Sequence, residues 1–307
     1  MATLPFDSVF VLCGLPPRTS DLAPLGLPPG MLPLDADGRS NLDRLLATVR
    51  PIMWGAAGEE PDGVSEAGRF RVLVESSFDP AKAGRPELDR YFVADRDRYR
   101  GTGGVLSDAA DDLDDNARIL VLVASEVVGE ELAEAIETVA AVDADVVLCR
   151  RADFTPSGLW SVRAGCLRRV SKVGYADFKE QVLADLSDSC DIRAATLPKS
   201  GRRLHAIRDL NSYLACLADA RAADGSGVIA EPGVERSPEA LVVDSVLLRG
   251  AVVEAGAVVA RSVVGPGVRV RSGQRVVDEV RSASESDGGD RKAGSGTSGS
   301  NRGEHRR

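Results

Sequence analysis

Arg100-Gly-Thr-Gly-Gly104 stands immediately before a predicted helix, Val105 to Ala110. Glycines at a helix start let backbone N–H groups approach a ligand closely, and the helix dipole favours anionic or polar groups there. The same cluster also suits a turn that needs positive φ. Further on, Asp177, Lys179 and Glu180 offer two carboxylates and an ammonium within four positions. Asp177 and Glu180 also have the three-residue spacing of a capping box ahead of an apolar helical stretch ending near Leu186, and Lys179 also reads as part of a solvated face. The acidic run Asp111, Asp112, Asp114 and Asp115 reads as a solvated loop rather than a metal site. Two histidines, His205 and His305, are too few for a metal cluster. The five cysteines (Cys13, Cys149, Cys166, Cys190, Cys216) include no CxxC pair, so neither a disulfide framework nor a zinc site is expected. A reduced cytoplasm is the simplest setting.

The elements around these residues alternate. Ser8 to Cys13 is a compact apolar run suited to a buried strand, followed by a Pro/Gly-rich loop from Gly14 to Pro33. Ser40 is a predicted N-cap for a helix bearing Leu42, Leu45, Leu46 and Val49 on one face. Phe70 to Val74 reads as a strand. Ile119 to Ala124, Glu130 to Ala141 and Val146 to Cys149 read as strand, helix and strand, a βαβ unit in a largely parallel sheet. A last helix, Asp209 to Ala222, presents Leu210, Tyr213, Leu214 and Leu217 on one side. The fold class is therefore α/β, a Rossmann-like domain with a mostly parallel sheet and helices on both faces.

Residues 225–238 are a linker by composition. Beyond them valine recurs at every sixth position, at Val246, Val252, Val258, Val264, Val270 and Val276. A hexapeptide period predicts a triangular β-helix in which these valines stack from coil to coil, and six hexads give about two left-handed coils. Two coils are too few to stand alone, so this piece must lean on the α/β domain or on another subunit. No histidine falls between residues 226 and 280, which disfavours the acyl transfer performed by hexapeptide acyltransferases. The division expected is residues 1–225, 226–281 and 282–307, the last a polar tail unable to bury enough apolar surface to order itself.

A formal charge of -9, from 38 basic against 47 acidic residues, argues against broad binding to nucleic acid. No apolar run approaches the roughly 20 residues that cross a bilayer. The first residues lack the basic n-region of a signal peptide.

The order of landmarks resembles the sugar-1-phosphate nucleotidylyltransferases, particularly the mannose-1-phosphate guanylyltransferase and glucose-1-phosphate nucleotidylyltransferase branch. The landmarks are the first strand and loop, Met31-Leu-Pro-Leu34, the Gly-Thr-Gly-Gly segment, the βαβ unit, Ser157-Gly-Leu-Trp160, Gly174 to Gln181, Ile207 to Tyr213, and the hexapeptide β-helix. The resemblance covers the chain to about residue 280. It implies transfer of NMP from an NTP to a sugar 1-phosphate with Mg²⁺. Arg18 and Lys179 would be the catalytic cations. Gly14, Gly101, Thr102, Gly103 and Gly104 would meet the nucleotide, and Asp177 and Glu180 would lie on the sugar-phosphate side.

The pattern is incomplete. The family's first loop, G-G-x-G-T-R-L followed by P-K-P, is here Cys13-Gly-Leu-Pro-Pro-Arg18 and later Pro28-Pro-Gly30, without the lysine and most of the glycines. Pro16 and Pro17 remove two N–H donors from a loop that would donate to phosphate. The aspartate after the central strand is replaced by Ser125, and the second metal aspartate aligns near Ala206. Glu126 and Asp209 are the remaining carboxylates that could hold Mg²⁺. The expectation is a catalytically impaired relative acting as a regulatory or assembly subunit, binding nucleotide or sugar phosphate and partnered by its own copies or a catalytic paralogue. The alternatives are an active nucleotidylyltransferase and a purely structural partner.

Overall fold

The computed structural model describes residues 5–54, 69–96, 100–126, 132–197, 206–221 and 227–283. The expected tail beyond residue 283, the start of the expected linker, Glu130, His205 and His305 lie outside the described residues.

Seven strands form the main sheet: β1 (Ser8–Leu12), β2 (Phe70–Val74), β3 (Phe92–Ala94), β4 (Arg118–Val123), β5 (Val146–Arg150), β6 (Pro156–Arg163) and β7 (Ile192–Thr196). Their order is β3-β2-β1-β4-β6-β5-β7. The pairs β3/β2, β2/β1, β1/β4 and β5/β7 are parallel, and β6 runs antiparallel to both neighbours. The expected βαβ unit is thus corrected in one respect. β4 and β5 share a direction, but β6 lies between them, with Val121 and Leu148 both paired with Trp160.

The apolar runs of β1 and β4 are buried on both faces, as suits central strands. On one face Val9, Val11, Leu120 and Leu122 pack with three helices: α1 (Asn41–Trp54), α3 (Leu132–Ala140) and α4 (Leu210–Arg221). On the other, Phe10, Ile119, Val121 and Trp160 pack with α2 (Gly101–Ala109) and with Phe178, Val182 and Leu186. Ser40 caps α1 as expected: its Oγ accepts from Asp43 N (3.3 Å), and Asp43 Oδ2 accepts from Ser40 N (2.7 Å). α2 begins at Gly101 rather than at Val105, so the glycines form its first turn.

Ten short strands build the β-helix, in three parallel sheets ordered β10-β13-β16, β17-β14-β11-β8 and β15-β12-β9. These are β8 (Val228–Ala230), β9 (Glu235–Arg236), β10 (Leu241–Val243), β11 (Ser245–Leu247), β12 (Val252–Val253), β13 (Val258–Ala260), β14 (Val263–Val264), β15 (Arg269–Val270), β16 (Arg275–Val277) and β17 (Val280–Arg281). Partners in successive coils keep one constant offset: Val228 pairs with Ser245, Val246 with Val263, and Val263 with Val280. That offset makes each coil one residue short of three hexads. Coiling also starts at Val228, inside the expected linker.

This register redistributes the valine ladder. The interior column is Leu247, Val253, Val259, Val264, Val270 and Val276, in which the step from Val259 to Val264 is one shorter than the others. Val252 and Val258 are half-buried, and Val246 faces the α/β domain. The shortened step is turned by non-glycine residues at positive φ, Asp244 (45°), Arg261 (46°) and Asp278 (55°), spaced by the same offset. A column at equivalent coil positions, Ile229, Val246, Val263 and Val280, joins the core of the α/β domain. The strands make three coils, with a fourth strand on one face, rather than the two expected from the hexads, and the β-helix leans on its own chain.

Candidate functional site

The C-terminal ends of β1 and β4 meet the start of α1. Asn41, fully buried, donates through Nδ2 to the carbonyls of Ala124 (2.8 Å) and Glu126 (2.9 Å). Gly30 is pressed on the same stretch, since a Cβ there would lie 2.4 Å from Ala124 Cβ. The segment before α4 returns to this point. Ile207 N donates to Ser125 O (2.8 Å), and Glu126 forms a β-bridge with Ala206. Ser125 and Ala206, the positions where the sequence resemblance implies metal aspartates, are therefore neighbours, carrying a hydroxyl and a methyl group.

The substitute carboxylates have other roles. Asp209 Oδ1 accepts from Ser212 N (2.8 Å) and Ser212 Oγ (2.7 Å), capping α4. Those two bonds hold its carboxyl below the usual carboxylate range. Glu126 lies 3.7 Å from the Arg151 guanidinium and packs against Gly158, where a Cβ would lie 2.5 Å from Glu126 Cγ. Neither carboxylate is placed as a free ligand, so this donor set does not fit Mg²⁺. Among the described residues, the group of three with metal-ligand atoms together is Asp145, Cys166 and Cys190. Asp145 precedes β5, which places this group at the opposite end of the strands from Ser125.

The loop after β1 is held by side chains. Leu15 N donates to Glu75 Oε1 (3.2 Å), at the end of β2. Ser20 Oγ donates to Arg208 O (2.7 Å), and Asp21 Oδ1 accepts from Leu210 N (2.8 Å), tying the loop to α4. Gly14 and Arg18 are exposed. Glu75 was not foreseen from the sequence. It sets a carboxylate beside the amide that directly precedes the two prolines.

On the other side, α2 and the segment from Gly174 to Gln181 form one unit. Gly103 N (2.8 Å) and Gly104 N (3.3 Å) both donate to Ala176 O, and Ala176 N donates to Arg100 O (2.9 Å). Thr102 Oγ1 donates to Asp177 Oδ2 (3.1 Å) and accepts from Phe178 N (2.9 Å). A Cβ on Gly101 would lie 2.6 Å from Ala176 O, and one on Gly103 would lie 2.6 Å from Val182 Cγ2. These glycines are required by close packing whatever else they do. Asp177 caps the following π-helical turn through Lys179 N and Glu180 N (2.9 Å each), while Gln181 rather than Glu180 returns the bond to Asp177 N (2.9 Å). Lys179 is exposed, with Nζ 5.6 Å above the ring of buried Trp160. Phe178 stacks on the same ring, and among the described residues Trp160 Nε1 has no acceptor.

Arg100, only 2% exposed, binds Asp108 through Nε (3.0 Å) and Nη2 (3.1 Å) and donates to the carbonyls of Ser171 (3.0 Å) and Gly174 (2.8 Å). It clamps the loop against α2. Its position beside the glycines was legible; its distant carbonyl partners were not.

A protein from Bacillus anthracis assigned as a glucose-1-phosphate thymidylyltransferase, solved with sucrose, superposes with a TM-score of 0.50 at 9% identity, covering 71% of this chain and 96% of that one. The fold is that of a sugar-1-phosphate nucleotidyltransferase. HddC from Yersinia pseudotuberculosis is similar at 14% identity and a TM-score of 0.48, over 70% of this chain and 100% of its own. No protein-family profile and no curated protein sequence matches the chain. Within this nucleotidyltransferase fold, the structure brings Thr102 to Asp177 and Ser125 to Ala206. Among the described residues no hydrogen bond or ion pair joins Arg18, Lys179, Glu126 or Asp209 to one another.

Proposed function

We propose that this chain is a nucleotidyltransferase fold without nucleotidyl transfer, working as a regulatory or assembly subunit that retains a surface for nucleotide or sugar phosphate. The observation that carries the reading is the Ser125–Ala206 junction. The backbone that would deliver two metal carboxylates to one point is intact, while the carboxylates are absent and Glu126 and Asp209 serve local structure. Without a divalent cation, the charge developing on departing pyrophosphate has no counterion in this centre. The loop adds to this, because two prolines and the Glu75 carboxylate stand where amides and a lysine would attract phosphate. An assembly role draws support from Leu241 (57% exposed), Val243 (43%) and Val277 (37%), apolar side chains on one sheet of the β-helix.

The test is pyrophosphate release from each NTP with several sugar 1-phosphates and Mg²⁺. No turnover is expected. Sustained turnover that disappears in Glu126→Gln would sink the reading in favour of an active enzyme. Thermal-shift measurements with nucleotides and sugar phosphates then separate a ligand-sensing subunit from a structural one.

A further inference from the structure

Cys166 and Cys190 bring their sulfurs to 3.0 Å, inside ordinary van der Waals contact. Cys166 sits in the short helix Ala164–Leu167, pinned by Ala164 N to Ala117 O (2.9 Å) and Gly165 N to Asp115 O (2.9 Å). Cys190 closes the turn after residue 186, its N–H on Leu186 O (2.9 Å). Cys166 is 5% exposed and Cys190 is half-buried, so an oxidant meets Cys190 first. Burial and the neighbouring thiol push Cys166 up to about 12, which keeps it a thiol until its partner is activated.

We infer that Cys166 and Cys190 form a reversible dithiol–disulfide pair. A metal site is the competing use, because Asp145 lies beside them. Two thiolates on one zinc ion, with Zn–S of about 2.3 Å in a tetrahedron, stand about 3.8 Å apart. The observed 3.0 Å falls well short of that spacing, in the direction of the S–S bond of about 2.05 Å. Asp145 is also engaged already, accepting from Asp191 N (2.9 Å) and pairing with Arg163 (3.3 Å).

The oxidant is a hydroperoxide. Cys190 sulfur attacks its oxygen, breaking the O–O bond to give a sulfenic acid and, with hydrogen peroxide, water. Cys166 sulfur then attacks Cys190 sulfur, and the hydroxyl leaves with the Cys166 proton as a second water. Two thiols are oxidised as one peroxide is reduced. The bond closes the loop from Cys166 to Cys190, which carries Ala176, Asp177, Lys179 and Glu180. Oxidation thereby staples the segment that receives the amides of Gly103 and Gly104. The inference is independent of whether the fold retains catalysis.

The experiment treats the reduced full-length chain with hydrogen peroxide, then counts thiols in denaturant and maps peptides by mass spectrometry. Two thiols fewer than five, a peptide joining Cys166 to Cys190, and a Tm raised by roughly 5–10 °C and reversed by a phosphine are expected. Cys190→Ser should lose both the link and the Tm change, and mapping of the unmutated chain decides even if that variant folds poorly. Five thiols persisting, sulfinic acid at Cys190 without a link, or stoichiometric zinc held by the reduced chain and lost in Cys190→Ser would each overturn the inference.

Discussion

Glu75 accepts the Leu15 amide hydrogen at 3.2 Å, so the first loop carries a carboxylate on the stretch where the sequence resemblance implies amides donating to phosphate. The charge, not the hydrogen bond, opposes an anion. Glu75→Gln keeps an acceptor for Leu15 and removes the charge. At an exposed site a unit charge a few ångströms from an anion amounts to about 1 kcal/mol, so nucleotide affinity should rise about fivefold, read by calorimetry at low salt. Unchanged affinity would mean that phosphate does not approach this loop.

The glycines of α2 invite substitution as a ligand test, but the structure predicts a fold effect first. Gly103→Ala puts a methyl group 2.6 Å from Val182 Cγ2 and 3.0 Å from Ala176 O. The expected loss is about 1–3 kcal/mol by urea denaturation. Lys179→Met, at an exposed position, should change stability by about 1 kcal/mol at most and is the cleaner probe of sugar-phosphate binding.

Arg100→Met leaves Asp108, only 14% exposed, with the more distant Lys172 ammonium (3.9 Å) and frees two loop carbonyls. We expect a loss of about 3–5 kcal/mol, with the Gly174 to Gln181 segment showing faster amide exchange than the β-helix. Equal exchange throughout would show that Arg100 does not hold this loop separately.

Much of this was legible in the sequence, for reasons that differ by element. β1, β2 and β4 are short apolar runs bounded by polar residues, and Ser40 and Asp177 sit where caps belong. β6 hid because Ser157-Gly-Leu-Trp160 gives no sign of running antiparallel between two strands that look consecutive. The coil length hid because valine is abundant. The period of six is real in the sequence, yet the shorter pairing offset places Val246, Val252 and Val258 outside the interior. Asp209 stands at the start of a predicted helix with Ser212 three residues on, a local capping pattern that accounts for its carboxylate, whereas no local pattern announces the Arg151 that faces Glu126.

That register makes a sharp mutational contrast. Val270→Ala and Val276→Ala, both inside the coil, should each lose about 2 kcal/mol, whereas Val252→Ala and Val258→Ala should lose less than about 1 kcal/mol. Equal losses at all four in chemical denaturation would restore the unbroken hexad register.

Asp43 offers a pH signature. Burial raises its pKa, but hydrogen bonds from Arg85 and Ser40 outweigh this and hold it below the usual range. A depressed carboxylate stabilises the fold above its unfolded value, near 4, and that contribution is lost as pH falls further. Between pH 5 and 2 the Tm of Asp43→Asn should therefore fall less steeply than that of the unmutated chain, although it starts lower.

The column Ile229, Val246, Val263 and Val280 gives the chain a quantum of length, the stretch from one of these residues to the next. Deleting or duplicating one such stretch, for instance Val246 through Ser262, would return each outward valine to the α/β domain and each inward one to the coil. A change of three full hexads would instead slip the stack by one position, turning the docking face to solvent and the solvent face inward. This appendage can grow or shrink only by whole coils of its own length, whatever the hexads suggest.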